Sequence, residues 1–271
     1  MINEYGKIAV FDSGIGGISF LHTAKNLLPK ENFIFYGDLA NAPYGEKKPE
    51  FIEKRASEIF DFFIENQAKI IIIACNTATS AAVKYLRAKY SQIDILGMEP
   101  AIKPAVDSGA KKVIILSTPI TANAPNTLRL IQDNQDKTNI INIPCKGLME
   151  LIENTQQLTE SENLKLITNY LTEKLNPVVT QEEEYAIVLG CTHYIFLRDV
   201  LHQMYPNVKL YDGNQGTAKN LIVHLKGQNL LNPGQVTGKI EFFSSIDNSI
   251  FSAKALTFME KMAKMQYISP K

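Results

Sequence analysis

Apolar positions in this chain gather in short unbroken runs rich in Ile and Val, closed by Gly, Asp, Asn or Pro. Such runs read as strands buried on both faces. They fall into two sets of four: Lys7–Phe11, Asn32–Tyr36, Lys69–Ala74 and Ile93–Gly97, then Lys112–Ser117, Asn139–Ile143, Tyr185–Gly190 and Val208–Tyr211. Between them, apolar residues recur at helical spacing over Lys48–Asn66, Ala78–Tyr90, Thr121–Asn134, Ser161–Leu175 and Phe196–Tyr205. Strand, helix and strand in alternation predict parallel sheets with helices on both faces. The expected fold class is α/β, with two similar lobes, each a mostly parallel sheet flanked by helices, and an active site in the cleft between them. The third strand of each set ends alike, in Ala74-Cys75-Asn76-Thr77 and in Gly190-Cys191-Thr192-His193, as an internal duplication would leave it. Beyond Asp212, helical stretches at Thr217–Lys226 and Ser252–Ala263 are expected to return to the first lobe. That lobe then comprises residues 1–97 and 212–271, and the second comprises residues 98–211.

Composition narrows the function classes. With 45% apolar and 21% charged residues in 271, the chain has ordinary globular usage and material for two cores. Lys+Arg and Asp+Glu both number 28, so no basic excess is available for a phosphate backbone, and nucleic acid is not expected as a partner. Residues 1–12 lack the basic and long apolar stretches of a secretory signal. The run Ile70–Cys75 is far short of the roughly 20 apolar residues of a membrane helix, so no membrane association is expected. Three cysteines, at 75, 145 and 191, are odd in number and widely spaced, which points to a reducing, cytoplasmic setting with thiols free for chemistry.

In open parallel sheets, ligands bind beyond the carboxyl ends of the strands. Asp12-Ser13-Gly14, Asp38, Cys75-Asn76-Thr77, Thr118 with Thr121, and Cys191-Thr192-His193 all fall at such ends. A thiol there can be a nucleophile, a metal ligand, a redox centre or a proton carrier. Two thiols on opposed walls suggest removal of a proton from one face of a substrate and its return to the other, which is racemisation or epimerisation through a planar carbanion. For an α-amino acid the carboxylate must accept developing charge. Ser13, Asn76, Thr77, Thr118, Thr121 and Thr192 supply donors, while Asp12 and His193 stand close enough in sequence to help each thiol exchange its proton.

Other patterns in the chain carry weaker alternatives. Gly14-Ile15-Gly16-Gly17 after a strand imitates a dinucleotide fingerprint, but the third glycine position is Ser19 and Asp12 would repel a pyrophosphate. Zinc could take Cys and His ligands, yet there is no close Cys-x-x-Cys, and no metal is expected. A Cys-x5-Arg nucleophile is excluded because Ala81 and Leu197 stand where Arg is needed, with Arg198 one step late. Cys145 reads as a packing residue, and His22, His202 and His224 as helix residues. Asp38 either caps a loop or joins the site. The charged stretch Glu46–Arg55 reads as a solvated helix face.

Six ordered segments carry a family resemblance: Phe11-Asp12-Ser13-Gly14-Ile15-Gly16-Gly17; Tyr36-Gly37-Asp38 with Pro43-Tyr44-Gly45; Ala74-Cys75-Asn76-Thr77-Ala78; Gly97-Met98-Glu99-Pro100-Ala101; Leu116-Ser117-Thr118-Pro119-Ile120-Thr121; and Gly190-Cys191-Thr192-His193-Tyr194. Together they resemble the glutamate racemases of the aspartate/glutamate racemase superfamily, in register over roughly the first 215 residues. The resemblance implies interconversion of L- and D-glutamate with no cofactor and no pyridoxal phosphate, supplying D-glutamate for peptidoglycan. It implies that Cys75 takes the α-proton from D-glutamate and Cys191 from L-glutamate. Asp12, Ser13, Pro43, Tyr44, Gly45, Asn76, Thr77, Thr192 and His193 match substrate contacts, with Thr118 and Thr121 as additions. It also implies a carboxylate near the end of the sixth strand, for which Glu153 stands first and Glu150 second. The partner is a small molecule, glutamate, and a homodimer is compatible with the reading. The chain departs from the family at Ile195-Phe196, where Pro and Leu are usual, around Cys145, and at Asp212-Gly213, where Asp-Ser is common. Two rival functions share these residues: racemisation of aspartate or another acidic amino acid, and non-catalytic binding on a racemase fold. Retention of both thiols argues against the second.

Overall fold

The computed structural model describes residues 2–153, 159–179 and 184–264. Residues 1 and 265–271 of the expected first lobe, and residues 154–158 and 180–183 of the second, lie outside them. Nine strands are described: β1 (Lys7–Asp12), β2 (Phe33–Gly37), β3 (Ala68–Ile73), β4 (Asp94–Gly97), β5 (Lys112–Ser117), β6 (Asn139–Pro144), β7 (Tyr185–Gly190), β8 (Lys209–Asp212) and β9 (Ile240–Ser244). They form two sheets of order β4-β3-β1-β2-β9 and β6-β5-β7-β8, with every pairing parallel. The chain divides into two compact units, one holding the described residues up to Glu99 and from Gly213 on, the other holding those of Pro100–Asp212.

In the first unit, alternate strand residues face opposite helical layers, because side chains point to opposite faces of a sheet at period two. Ile8, Val10, Phe33, Phe35, Ile70 and Ile72 join one core with Leu21, Leu221, Leu225 and Phe251 of the helices Ile18–Leu27, Asn214–Gly227 and Asn248–Lys264. On the other face Phe11 meets Phe60 of the helix Pro49–Glu65 edge-on, with ring centroids 6.5 Å apart. Each of the fully buried Ile71, Ile72 and Ile73 contributes roughly 1.5–3 kcal/mol by leaving water. In the second unit Ile114, Leu116, Ile187 and Leu189 pack with Leu171 and Leu175 of the helix Glu160–Leu175. Val113, Ile115, Ala186 and Val188 pack with Ile102, Ala105 and Val106 on the opposite face.

The two sheets repeat one winding. Without β9, the first reads β4-β3-β1-β2, and the second read from its other edge is β8-β7-β5-β6. Strands β1 to β4 therefore correspond to β5 to β8 in chain order, so the matched cysteine motifs follow equivalent strands, β3 and β7.

Several local expectations are corrected. The helix expected over Thr121–Asn134 is two, Pro119–Ala122 and Pro125–Gln132, since Pro125 keeps the preceding Ala124 extended. Residues Thr192–Leu197 form a 3-10 helix before the α-helix Arg198–Met204, in place of one helix from Phe196. The sequence pattern does not predict the edge strand β9, which pairs with β2.

Candidate active site

In each sheet the chain leaves the first strand toward one side and returns on the other, so β1 with β3, and β5 with β7, flank a topological switch point, the place beyond the strand ends at which open parallel sheets bind ligands. The sequence-selected residues of each unit lie at that end.

In the first unit Asp12 closes β1 with no exposed surface, and its Oδ1 accepts the Gly14 N–H at 2.8 Å. A Cβ on Gly17 would come 2.7 Å from the Asp12 Cβ, so this glycine is required by close approach to a carboxylate and not by a nucleotide phosphate. Across the switch point, Cys75 caps the helix Asn76–Lys89, and its Sγ accepts the Ala78 N–H at 3.4 Å. Negative charge on that sulfur is stabilised by the helix N-terminus. Ser13 Oγ stands 3.3 Å from the same Sγ. Asn76 and Thr77 are buried in the first turn, with Asn76 Nδ2 donating to Met98 O at 3.3 Å. Pro43 leads into the single 3-10 turn Tyr44–Glu46, which carries Tyr44 and Gly45.

In the second unit Cys191 follows β7, and the succeeding turn buries Thr192 and His193. His193 has almost no exposed surface, and its Nε2 lies 2.7 Å from Glu153 Oε1 at the end of the helix Leu148–Glu153. Burial disfavours the imidazolium, yet hydrogen bonds to Cys191 and Glu153, and their charge, outweigh it and hold the His193 pKa well above its ordinary value. Cys191, His193 and Glu153 thus form a line along which a proton can be held or moved. Thr118 caps Pro119–Ala122, accepting the Thr121 N–H at 3.3 Å and donating to Thr121 Oγ1 at 3.1 Å. Cys145 sits in the same core as Cys191, its thiol pushed up to about 12 chiefly by burial. Among the described residues no group of three or more His, Cys, Asp and Glu is gathered as a metal would require.

The Asp/Glu/Hydantoin racemase family model matches residues 19–221. The chain belongs to the Asp/Glu/hydantoin racemase family. A glutamate racemase of Clostridium perfringens is 39% identical over 263 residues, which span 96% of each chain. Among solved members, the Francisella tularensis glutamate racemase in complex with D-glutamate aligns with a TM-score of 0.78 at 27% identity, covering 95% of this chain and 94% of that one. The Escherichia coli glutamate racemase in complex with L-glutamate and the activator UDP-MurNAc-ala aligns at 0.77 and 27%, covering 95% of both.

One residue of this racemase-family chain contradicts its expected place. Arg55 is not part of a solvated face: its guanidinium turns inward to the buried carboxylate of Asp38 at 2.9 Å, with 21% of its side chain exposed. Nothing in local charge pattern marks that turn. Asp38 is accordingly more than a loop cap, since it also accepts the Tyr44 hydroxyl at 2.6 Å. Among the described residues no helix is long and apolar enough to cross a membrane.

Proposed function

We propose that the protein interconverts L- and D-glutamate, in the cytoplasm and without a cofactor, with Cys75 and Cys191 as its two acid–base groups. One observation carries the reading: each repeat of the winding holds one cysteine just beyond its third strand, and each cysteine has its own polar neighbours. A binding protein has no need of two thiols so placed.

Starting from D-glutamate, the Cys75 thiolate takes the α-proton, and the electron pair left on carbon delocalises into the carboxylate. The Cys191 thiol delivers its proton to the opposite face and L-glutamate forms. Cys75 is now the thiol and Cys191 the thiolate, so the protein must exchange protons before the next turnover in the same direction. Asp12 and Ser13 beside Cys75, and His193 with Glu153 beside Cys191, serve that exchange. Both sulfurs must reach one α-carbon from opposite faces. Asn76, Thr77, Thr118, Thr121 and Thr192, with the turn Pro43-Tyr44-Gly45, bind the substrate's carboxylates and amine. Glutamate as substrate is supported by the relatives' activity and by the D- and L-glutamate bound in their structures. The D-glutamate so made feeds peptidoglycan. Three free thiols support a reducing compartment.

The test is turnover in deuterated water, followed by circular dichroism and mass spectrometry. Either enantiomer of glutamate should racemise, and the product of the first turnover should carry deuterium at the α-carbon. Product that keeps the substrate's hydrogen would mean one shuttling base and overturn the two-thiol mechanism. Loss of optical activity with aspartate alone would overturn the substrate.

A further inference from the structure

We propose that Arg55 is a positioning residue for the turn Tyr44–Glu46, acting through Asp38, and that it sets how well the turn binds substrate; this rests on the glutamate reading above. The turn is a single 3-10 turn, closed by Lys47 N–H donating to Tyr44 O at 3.1 Å. A lone turn of this kind has little hydrogen bonding of its own to hold it. It packs on the helix that Cys75 caps, and the Tyr44 ring lies edge-on to Phe11, the residue before Asp12, at 6.1 Å. The turn therefore stands against the elements that carry Cys75 and Asp12.

What holds the turn is Asp38, a carboxylate with no exposed surface. Its Oδ1 accepts from Arg55 Nη2 at 2.9 Å and Asn41 Nδ2 at 3.0 Å, and its Oδ2 accepts from the Tyr44 hydroxyl at 2.6 Å and Arg55 Nε at 3.0 Å. A guanidinium that bonds both oxygens fixes the plane of the carboxylate, and hence the point at which the phenol must meet it. Arg55 Nη2 also donates to Tyr36 OH at 3.1 Å, which anchors the fork to β2. Burial alone would raise the Asp38 pKa, but hydrogen bonds from Arg55, Tyr44, Asn41 and Ser245 hold it below the usual carboxylate range. Burial and the Asp38 charge push the Tyr44 phenol far above its ordinary value. The phenol is thus a neutral donor committed to Asp38 at any working pH, and what the turn offers a substrate is its backbone. Arg55 acts on binding and not on proton transfer.

Arg55→Lys in the whole chain keeps the charge and removes the fork. We expect KM for both enantiomers to rise roughly tenfold, with kcat held within about threefold and the limbs of the pH profile unmoved. Hydrogen exchange in the ligand-free protein should quicken over residues 38–47 and nowhere else. Unchanged KM, a loss confined to kcat, or unaltered exchange in that segment would overturn the proposal. Tyr44→Phe leaves the Arg55–Asp38 pair intact and decides the matter if Arg55→Lys does not fold: the same rise in KM is expected, and an unchanged KM overturns it. Where both variants fold, the double variant should lose no more than either alone, and additive losses would overturn the shared route. If the parent protein fails to racemise glutamate, the functional reading falls, while hydrogen exchange still decides the positioning role.

Discussion

His193 Nε2 and Glu153 Oε1 stand 2.7 Å apart, a fully buried imidazole against a carboxylate that keeps 34% of its side chain in solvent. Their contact gives the buried ring a negative partner besides Cys191. Glu153→Gln removes that charge, so the imidazolium should lose its proton at lower pH, and the alkaline limb of the racemisation profile should move down. A fall in kcat/KM of about 10²-fold is expected, equal in both directions because two enantiomers have equal free energy in water. The ring's titration by NMR checks the direction, and an unshifted His193 would refute the assignment. The folded pKa is raised, so the ion pair's stabilisation is complete below the reference pKa of about 6.5 and is lost as pH climbs through the folded value. Melting temperatures of the parent and the variant should therefore differ most near pH 6 and converge at high pH.

Cys75→Ser and Cys191→Ser should each lower kcat by about 10³-fold or more, because an alcohol is a far weaker acid than a thiol and cannot cycle through its anion. Both sulfurs are buried, and the exchange to oxygen is nearly isosteric, so circular dichroism should stay that of the parent. Both losses should be large, since every turnover uses both groups. A single variant with parental turnover would leave that cysteine without a chemical role.

The central strands of both sheets are legible because buried Ile- and Val-rich runs leave a continuous apolar signature, and the equivalence of β3 and β7 is legible because the cysteine motif recurs after each. The edge strand β9 is not, since Ile240–Ser244 breaks its apolar run with Glu241 and carries aromatics in place of Ile and Val. Spacing left open which glutamate serves the second site. The turn after Cys191 and the short helix Leu148–Glu153, 40 residues apart in sequence, bring Glu153 to His193. Arg55 was hidden more completely. A charge on a helix looks the same whether it faces water or a carboxylate 17 residues upstream.

Gly17→Ala tests the reason for the glycine after β1. The backbone of Gly17 is helical, with φ −63°, so alanine meets no conformational penalty and would by propensity alone be stabilising. Here its Cβ would lie 2.7 Å from the Asp12 Cβ and 3.1 Å from Oδ2. We expect a loss of about 1–3 kcal/mol in chemical denaturation and a racemisation defect from displacement of Asp12. A neutral or stabilised variant with full activity would show that the Asp12 loop yields freely.

Lys69 and Glu31 hold together the opposite end of the first unit. Lys69 Nζ, with its side chain wholly buried, donates to Glu31 Oε2 at 2.6 Å and to the carbonyls of Glu4 and Leu230, both at 2.7 Å. Glu31 Oε1 accepts the Asn232 N–H at 2.8 Å, so the pair ties β3 to the segment that leads into β9. Removing one partner strands a buried charge, and Lys69→Met alone should cost about 3–5 kcal/mol. Glu31→Gln keeps the hydrogen-bonding shape without the charge and should cost less. In the double variant Lys69→Met, Glu31→Leu no charge remains, and much of the loss should be recovered, although the Glu4 and Leu230 carbonyls stay short of a donor. Urea denaturation of the parent, Lys69→Met, Glu31→Gln, Glu31→Leu and the double variant measures this. If the double variant loses the sum of the single Lys69→Met and Glu31→Leu losses, the two groups act independently, and the buried pair is not what joins the returning chain to the sheet.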